Sequence, residues 1–135
     1  MRIVEIDETD IEPVVAFWER CGLTRPWNDP RADIALARLT ASSTVLVGWD
    51  GETIVATAMA GSDGHRGWVY YLGVDPDARR AGLGREIMEA AETWLREHGV
   101  PKVHVMVRGE NAEVRGFYRQ LGYEAQEVTV LGKRF

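Results

Sequence analysis

Residues 79–85 read Arg79-Arg80-Ala81-Gly82-Leu83-Gly84-Arg85 and stand directly before the strongest helical stripe of the chain. A helix start presents unpaired backbone N–H groups and a partial positive charge, a combination that holds anions and phosphate above all. Gly82 and Gly84 carry no Cβ, so a ligand's oxygens can reach the main chain there. Arg79, Arg80 and Arg85 add charge-assisted, potentially bidentate donors. The stretch therefore reads as a phosphate-binding loop, with an ordinary loop of solvated arginines as the alternative on spacing alone. Two familiar phosphate motifs fail. A P-loop ends in Gly-Lys-Ser/Thr, and here Gly84 is followed by Arg85-Glu86. A dinucleotide fingerprint needs a small residue where Ile87 stands.

The elements that must position this loop follow from periodicity and turn chemistry. "RIVEI" alternates as a first strand. "DETDIEPVVAFWERCG" follows as a helix, capped by Thr9 or Asp10, with Pro13 in its first turn, Ile11, Val14, Val15, Trp18 and Cys21 on its apolar stripe, and Gly22 as its stop. "LTRPWNDP" is a loop and "RADIALARLTA" a short second helix. "STVLVGWDGETIVATAMAGSDG" is a hairpin around Asp50-Gly51. "HRGWVYYLGVDP" is a strand whose run from Trp68 to Val74 is apolar on both faces, which predicts a central position.

"LGREIMEAAETWLREHG" is a helix with Leu83, Ile87, Ala90, Ala91, Trp94 and Leu95 on one stripe, ended by Gly99. "PKVHVMV" is a strand. "NAEVRGFYRQLG" is a helix capped by Asn111 and stopped by Gly122, and "YEAQEVTVLGKRF" carries one or two closing strands. The expected architecture is α/β (α+β): a mixed, mostly antiparallel central sheet of six to seven strands, helices on both faces, and a single domain over residues 1–135.

The bulk numbers narrow the partners. A net charge of −5 argues against nucleic acid, which requires a basic face to displace counterions. The single cysteine, Cys21, forms no disulfide within the chain and reads as a core residue, in keeping with a reducing compartment. No apolar run approaches membrane-spanning length and the N-terminus lacks a signal-type apolar region, so the expectation is a cytoplasmic protein without a membrane partner. His65, His98 and His104 have no metal-ligand spacing, so no metal is expected.

The loop matches one further pattern. "RRAGLG" resembles the R/Q-x-x-G-x-G/A signature of the GNAT superfamily of acetyl-CoA-dependent N-acetyltransferases. "YYLGV" followed by "DPDARR" resembles that family's fourth strand and its exit. "NAEVRGFYRQLGY" resembles its Asn-x6-Tyr…Leu-Gly-Phe/Tyr segment. Element order agrees over nearly the whole chain, and "RPWNDP", "DGHRG" and the terminal "LGKR" resemble a small bacterial YpeA-like branch.

The resemblance implies acetyl-CoA as cosubstrate and direct transfer of its acetyl group to a primary amine, on a small molecule or a peptide, in a ternary complex. Arg79 to Arg85 would wrap the pyrophosphate. Leu72, Gly73 and Val74 would receive the pantetheine arm as an added strand, with Gly73 suited either to a bulge or to plain close packing. An N–H near Val74 would donate to the developing oxyanion. Asn111 would meet the pantetheine and Tyr118, seven residues on, would protonate the departing thiolate. Capping and core packing are the competing readings for those two residues.

The strand "GWVYYLGV" has no carboxylate to serve as base, which leaves a water relay through Tyr70 or Tyr71, or a contribution from Asp63 or His65. Arg25, Trp27, Asn28 and Asp29 form a candidate acceptor loop, with Tyr70 beside it, and a proline-stabilised turn is the alternative. A non-catalytic acyl-CoA sensor with the same fold is the main rival, and a dinucleotide module the second. A C-terminal strand ending at Phe135 would suit a homodimer.

Overall fold

The computed structural model describes residues 1–78, 80–109 and 111–135. The chain packs as two compact units, Met1–Val105 and Met106–Phe135. In the first, β1 (Arg2–Glu5), β2 (Ser43–Asp50), β3 (Thr53–Ser62), β4 (Gly67–Val74) and β5 (Val103–Val105) form one sheet in the order β1-β2-β3-β4-β5. The first three pairings are antiparallel and β4–β5 is parallel, as a helical crossover between them requires. The same unit holds α1 (Ile11–Arg20), α2 (Pro30–Arg38) and α3 (Leu83–Glu97), and the second unit holds α4 (Ala112–Gln120).

The mixed sheet with helices on both faces is as expected, but its strands number five. Among the described residues none after Val105 is in a strand. The alternation around Val128, Val130 and Leu131 marks a segment able to extend. A strand also needs an edge to pair with and a face to bury, and these three side chains are exposed.

The helix starts are chemically specified. Asp7 opens a short 3-10 turn, Glu8–Asp10, that leads into α1; its carboxylate accepts from Thr9 N while Asp10 reaches back to the Asp7 N–H. Asp10 holds the N-cap position of α1 without a side-chain cap bond, and the capping box stands one turn earlier, at Asp7, because the chain winds once before the apolar stripe begins. Asp29 caps α2, with Pro30 in the first helical position. Gly22, in the left-handed region at φ 69°, ends α1 as expected.

The two sheet faces can be read from single contacts. A Cβ on Gly67 would press on Leu95 of α3, whereas one on Gly73 would press on Phe17 and Cys21, on the α1 side. Cross-strand partners share a face. Ser62 opposite Gly67 and Ala60 opposite Val69 therefore lie under α3, and by alternation so do Ala58 and Ala56. These small side chains let α3 sit close to β3. On the other face Trp18, Val14, Val15, Ile34, Val45 and Val47 make a core under α1 and α2. A bidentate Arg31–Glu12 pair, at 2.6 and 2.8 Å, ties α2 to α1.

Candidate active site

Gly67 and Gly73 lie six positions apart on one strand yet face opposite sides of the sheet, so β4 must gain a residue between them. The register shows where. Met59 opposes Tyr70 and Thr57 opposes Gly73, leaving Ala58 across from both Tyr71 and Leu72. Tyr71 is the extra residue of this bulge, with φ 49°, the only positive φ outside glycine among the described residues. A bulky residue in that region costs of order 1–3 kcal/mol.

The bulge therefore sits at Tyr71, two positions before Gly73, for which a bulge and close packing were both open readings. Gly73 serves close packing instead: its Cβ would come within 2.9 Å of Leu23 Cδ1.

The bulge is anchored on every side. The Tyr71 ring stacks on buried Trp18, with centroids 3.7 Å apart and planes 7° apart. Its hydroxyl donates to Asp33 Oδ2 of α2 at 2.6 Å. Its carbonyl accepts from Thr57 Oγ1 at 3.0 Å, and that hydroxyl in turn accepts from Trp18 Nε1 at 2.9 Å.

Beyond the bulge the main chain has a defined direction. Asp75 N donates to Val55 O at 2.8 Å, so by alternation the polar groups of Gly73 also point to β3. Those of Leu72 and Val74 point the other way, toward the edge where pairing with β5 ends at Val69–Val105. Two backbone N–H groups are thus aimed along an edge that β5 leaves behind. The thiol of Cys21 donates to Val74 O at 3.5 Å, and burial pushes it up, which suits the structural role read from sequence.

The loop after β4 starts from Asp75, which is buried and paired with Arg20 of α1 at 2.5 Å; that guanidinium, with the Asp77 N–H, holds the carboxyl below its usual range. Arg79 lies outside the described residues. Gly82 takes the N-cap position of α3 at φ 92° and brings no side chain to cap it, unlike the N-cap residues of α2 and α4. Leu83 and Gly84 form its first turn, after exposed Ala81. Arg80 is ion-paired with Glu86 of that turn, and Arg85 lies 3.8 Å from Glu89. Both arginines stand at the helix start, each shared with a glutamate.

The turn before β4 answers the question of the base in part. Asp63 accepts from the N–H groups of His65 and Arg66 and from Trp68 Nε1. Led by the Arg66 N–H, these donors hold its carboxyl down at about 2. Such a carboxylate is a turn organiser and a poor proton acceptor. An NMR titration is expected to find its midpoint near about 2; the stability it lends is present above the ordinary carboxylate value and disappears only as pH falls toward about 2. A midpoint near 4 would contradict the donor geometry. Tyr71 is equally unsuited as a base: burial, then its bond to Asp33, pushes the phenol far above its ordinary value.

The candidate acceptor loop is largely self-organised. Asp29 caps α2 through Arg31 N and Ala32 N, and Arg25 Nη1 donates to the carbonyls of Gly22 and Thr24 at 2.8 Å. Trp27 and Asn28 are exposed, as is Tyr70 on β4, which shares a stacked row with Trp68. Asp33 is the residue that sequence reading missed here. It looks like one more helix-surface acid until the fold brings it to Tyr71.

In the second unit Asn111 caps α4, its side chain accepting from Val114 N at 3.1 Å. Tyr118 is buried among Phe117 and Tyr123, and that burial pushes its phenol up to about 12. A cavity of about 400 Å³ lies elsewhere, among Glu5, Arg38 and Trp94, and none of the expected site residues lines it. Among the described residues no group of three or more His, Cys, Asp or Glu side chains is placed to hold a metal, and no helix is long and apolar enough to cross a membrane.

A five-stranded mixed sheet whose fourth strand bulges and stops pairing with the fifth, followed by a helix that starts on Gly82, defines an α/β protein with an open strand edge ahead of a helix start. The sequence profile of the acetyltransferase (GNAT) family matches residues 5–123, and the chain belongs to that family. An acetyltransferase of Yersinia pestis (strain Pestoides F) is 43% identical over 134 residues, covering 99% of this chain and 95% of the relative. An acetyltransferase of Pectobacterium atrosepticum is likewise 43% identical with the same coverage. Among solved structures, a mutant of the Bacillus halodurans protein BH1408 superposes with TM-score 0.76 at 26% identity over the whole of both chains. AAC(6')-Iy in complex with a CoA-S-monomethyl-acetylneamine bisubstrate analogue superposes with TM-score 0.83 at 16% identity, over 99% of this chain and 97% of that one.

Proposed function

We propose that the protein moves the acetyl group of acetyl-CoA to a primary amine by direct attack in a ternary complex. The observation that carries this reading is the direction of the Leu72 and Val74 N–H groups, aimed along the β4 edge that β5 abandons, ahead of the start of α3 on Gly82. The pantetheine arm would lie on that edge, and the diphosphate would meet the N–H groups from Gly82 onward together with Arg80 and Arg85, which exchange their glutamates for phosphate oxygens. Arg79 and Asn111 join this donor set on the strength of the motif. The family profile spans both compact units, which supports treating residues 1–135 as one catalytic domain.

The chemistry balances as follows. The neutral amine nitrogen attacks the thioester carbon, a main-chain N–H near Val74 donates to the oxyanion, the C–S bond breaks as Tyr118 gives its proton to the thiolate, and the surplus proton on the nitrogen passes through solvent to the tyrosinate, which restores the phenol. Positioning and oxyanion stabilisation supply most of the acceleration. Trp27, Asn28 and Asp29 and the Tyr70 ring remain the proposed acceptor side.

The test is calorimetry with acetyl-CoA, followed by a panel of amines read by mass spectrometry for a gain of one acetyl group. Aminoglycosides enter the panel first, since AAC(6')-Iy is named an aminoglycoside N-acetyltransferase, alongside polyamines and peptide N-termini. Binding plus at least one acetylated amine is expected, and no binding heat would end the proposal. A non-catalytic acyl-CoA sensor is the second reading, favoured by one observation: β4 carries no carboxylate and both Asp63 and Tyr71 are held outside the range of a useful base. It predicts binding with no acetylated product.

A further inference from the structure

Tyr71 is in an expensive backbone conformation and is held there by three other elements. Trp18 comes from α1, Asp33 from α2 and Thr57 from β3, and each meets a different part of the residue: ring face, hydroxyl and carbonyl. A sheet that merely needed a bend would use glycine at φ 49°, since glycine adopts it freely. A tyrosine there makes the bulge depend on side-chain anchors. Just after it come the two N–H groups that the donor reading relies on, Leu72 and Val74. Their direction is set by the residue that shifts the register, because a strand without the extra residue would turn each of them to the opposite side.

We propose that Tyr71 is a positioning residue for the acyl donor: clamped on Trp18, Asp33 and Thr57, it fixes the β4 bulge and so aims the Leu72 and Val74 N–H groups at the pantetheine arm. This rests on the acetyl-CoA reading above. It also places α2, which follows the proposed acceptor loop, in direct mechanical contact with the donor strand through the Asp33 bond.

The test compares two ligands on the full chain by calorimetry: CoA, and 3′-phospho-ADP, which keeps the diphosphate and lacks the pantetheine arm. Tyr71→Gly allows the bulge without enforcing it, and Tyr71→Phe keeps the ring but loses the bond to Asp33. CoA affinity is expected to fall about tenfold in Tyr71→Gly and about threefold in Tyr71→Phe, as loss of one or two backbone hydrogen bonds would produce, with 3′-phospho-ADP affinity unchanged in both. A merely structural role would weaken both ligands alike, and that result, or unchanged CoA affinity in folded variants, overturns the proposal. If Tyr71→Gly does not fold, the Phe variant decides by the same ratio. Wild-type protein that binds neither ligand would instead overturn the donor reading itself, and this proposal with it.

Discussion

Gly82→Val is expected to weaken CoA binding by about a hundredfold while leaving the β-sheet intact. At φ 92° and ψ −1° Gly82 occupies a conformation that a β-branched residue resists most strongly. Beyond its two chain neighbours, no atom of the described residues lies within 4 Å of where its Cβ would stand, so none of them is displaced by that carbon. The damage is confined to the backbone at the start of α3: the first turn must rotate to relieve φ, and its N–H groups leave the direction they share. A strain of about 1–3 kcal/mol, together with methyl groups set between ligand oxygens and main chain, accounts for the two orders of magnitude. Gly82→Asn separates the two causes. Asparagine tolerates the left-handed region, so it is expected to lose only about tenfold, from bulk alone. Substitution of exposed Gly132 serves as the control without effect. Calorimetry with CoA reads all three, and unchanged affinity in Gly82→Val would remove the helix start from the donor site.

That glycine was legible because its meaning is local. A turn residue, a helix start and cations within seven positions express a property that neighbours in the chain can build by themselves. The same holds for the Asp50-Gly51 hairpin, the Asn111 position ahead of its helix, and the stripe of α3. The bulge was not legible, because nothing in "GWVYYLGV" marks Tyr71 apart from its neighbours, and glycine at position 73 points to the wrong place. Its causes lie on α1, α2 and β3, 38 residues away for the Asp33 bond and farther still for the Trp18 ring, and only the folded chain assembles them. Asp33 escaped for the same reason, and the three donors to Asp63 belong to a turn geometry that composition does not reveal. The expected closing strands failed in the reverse sense: local alternation was present, and the pairing that makes a strand is a non-local event.

Tyr118→Phe is the second large effect, expected to lower kcat by about a hundredfold with little change in the KM for acetyl-CoA. The substitution removes one oxygen from a buried ring and keeps the edge contacts to Phe117 and Tyr123, whose centroids lie 5.2 and 5.5 Å away, so the fold of α4 is retained. Burial pushes the phenol up to about 12, which keeps it protonated throughout the pH range in which the enzyme can be assayed. At neutral pH it holds its proton, as the proposed acid requires. The sign of the pH dependence follows. Rate rises with pH as the acceptor amine loses its proton, then stays level, because the acid is not exhausted until pH approaches about 12. A wild-type profile that falls with a midpoint near 9 would assign the acid to another group. An unchanged kcat in Tyr118→Phe, measured as thiol release with an acceptor found in the amine panel, would show that the thiolate leaves without this proton.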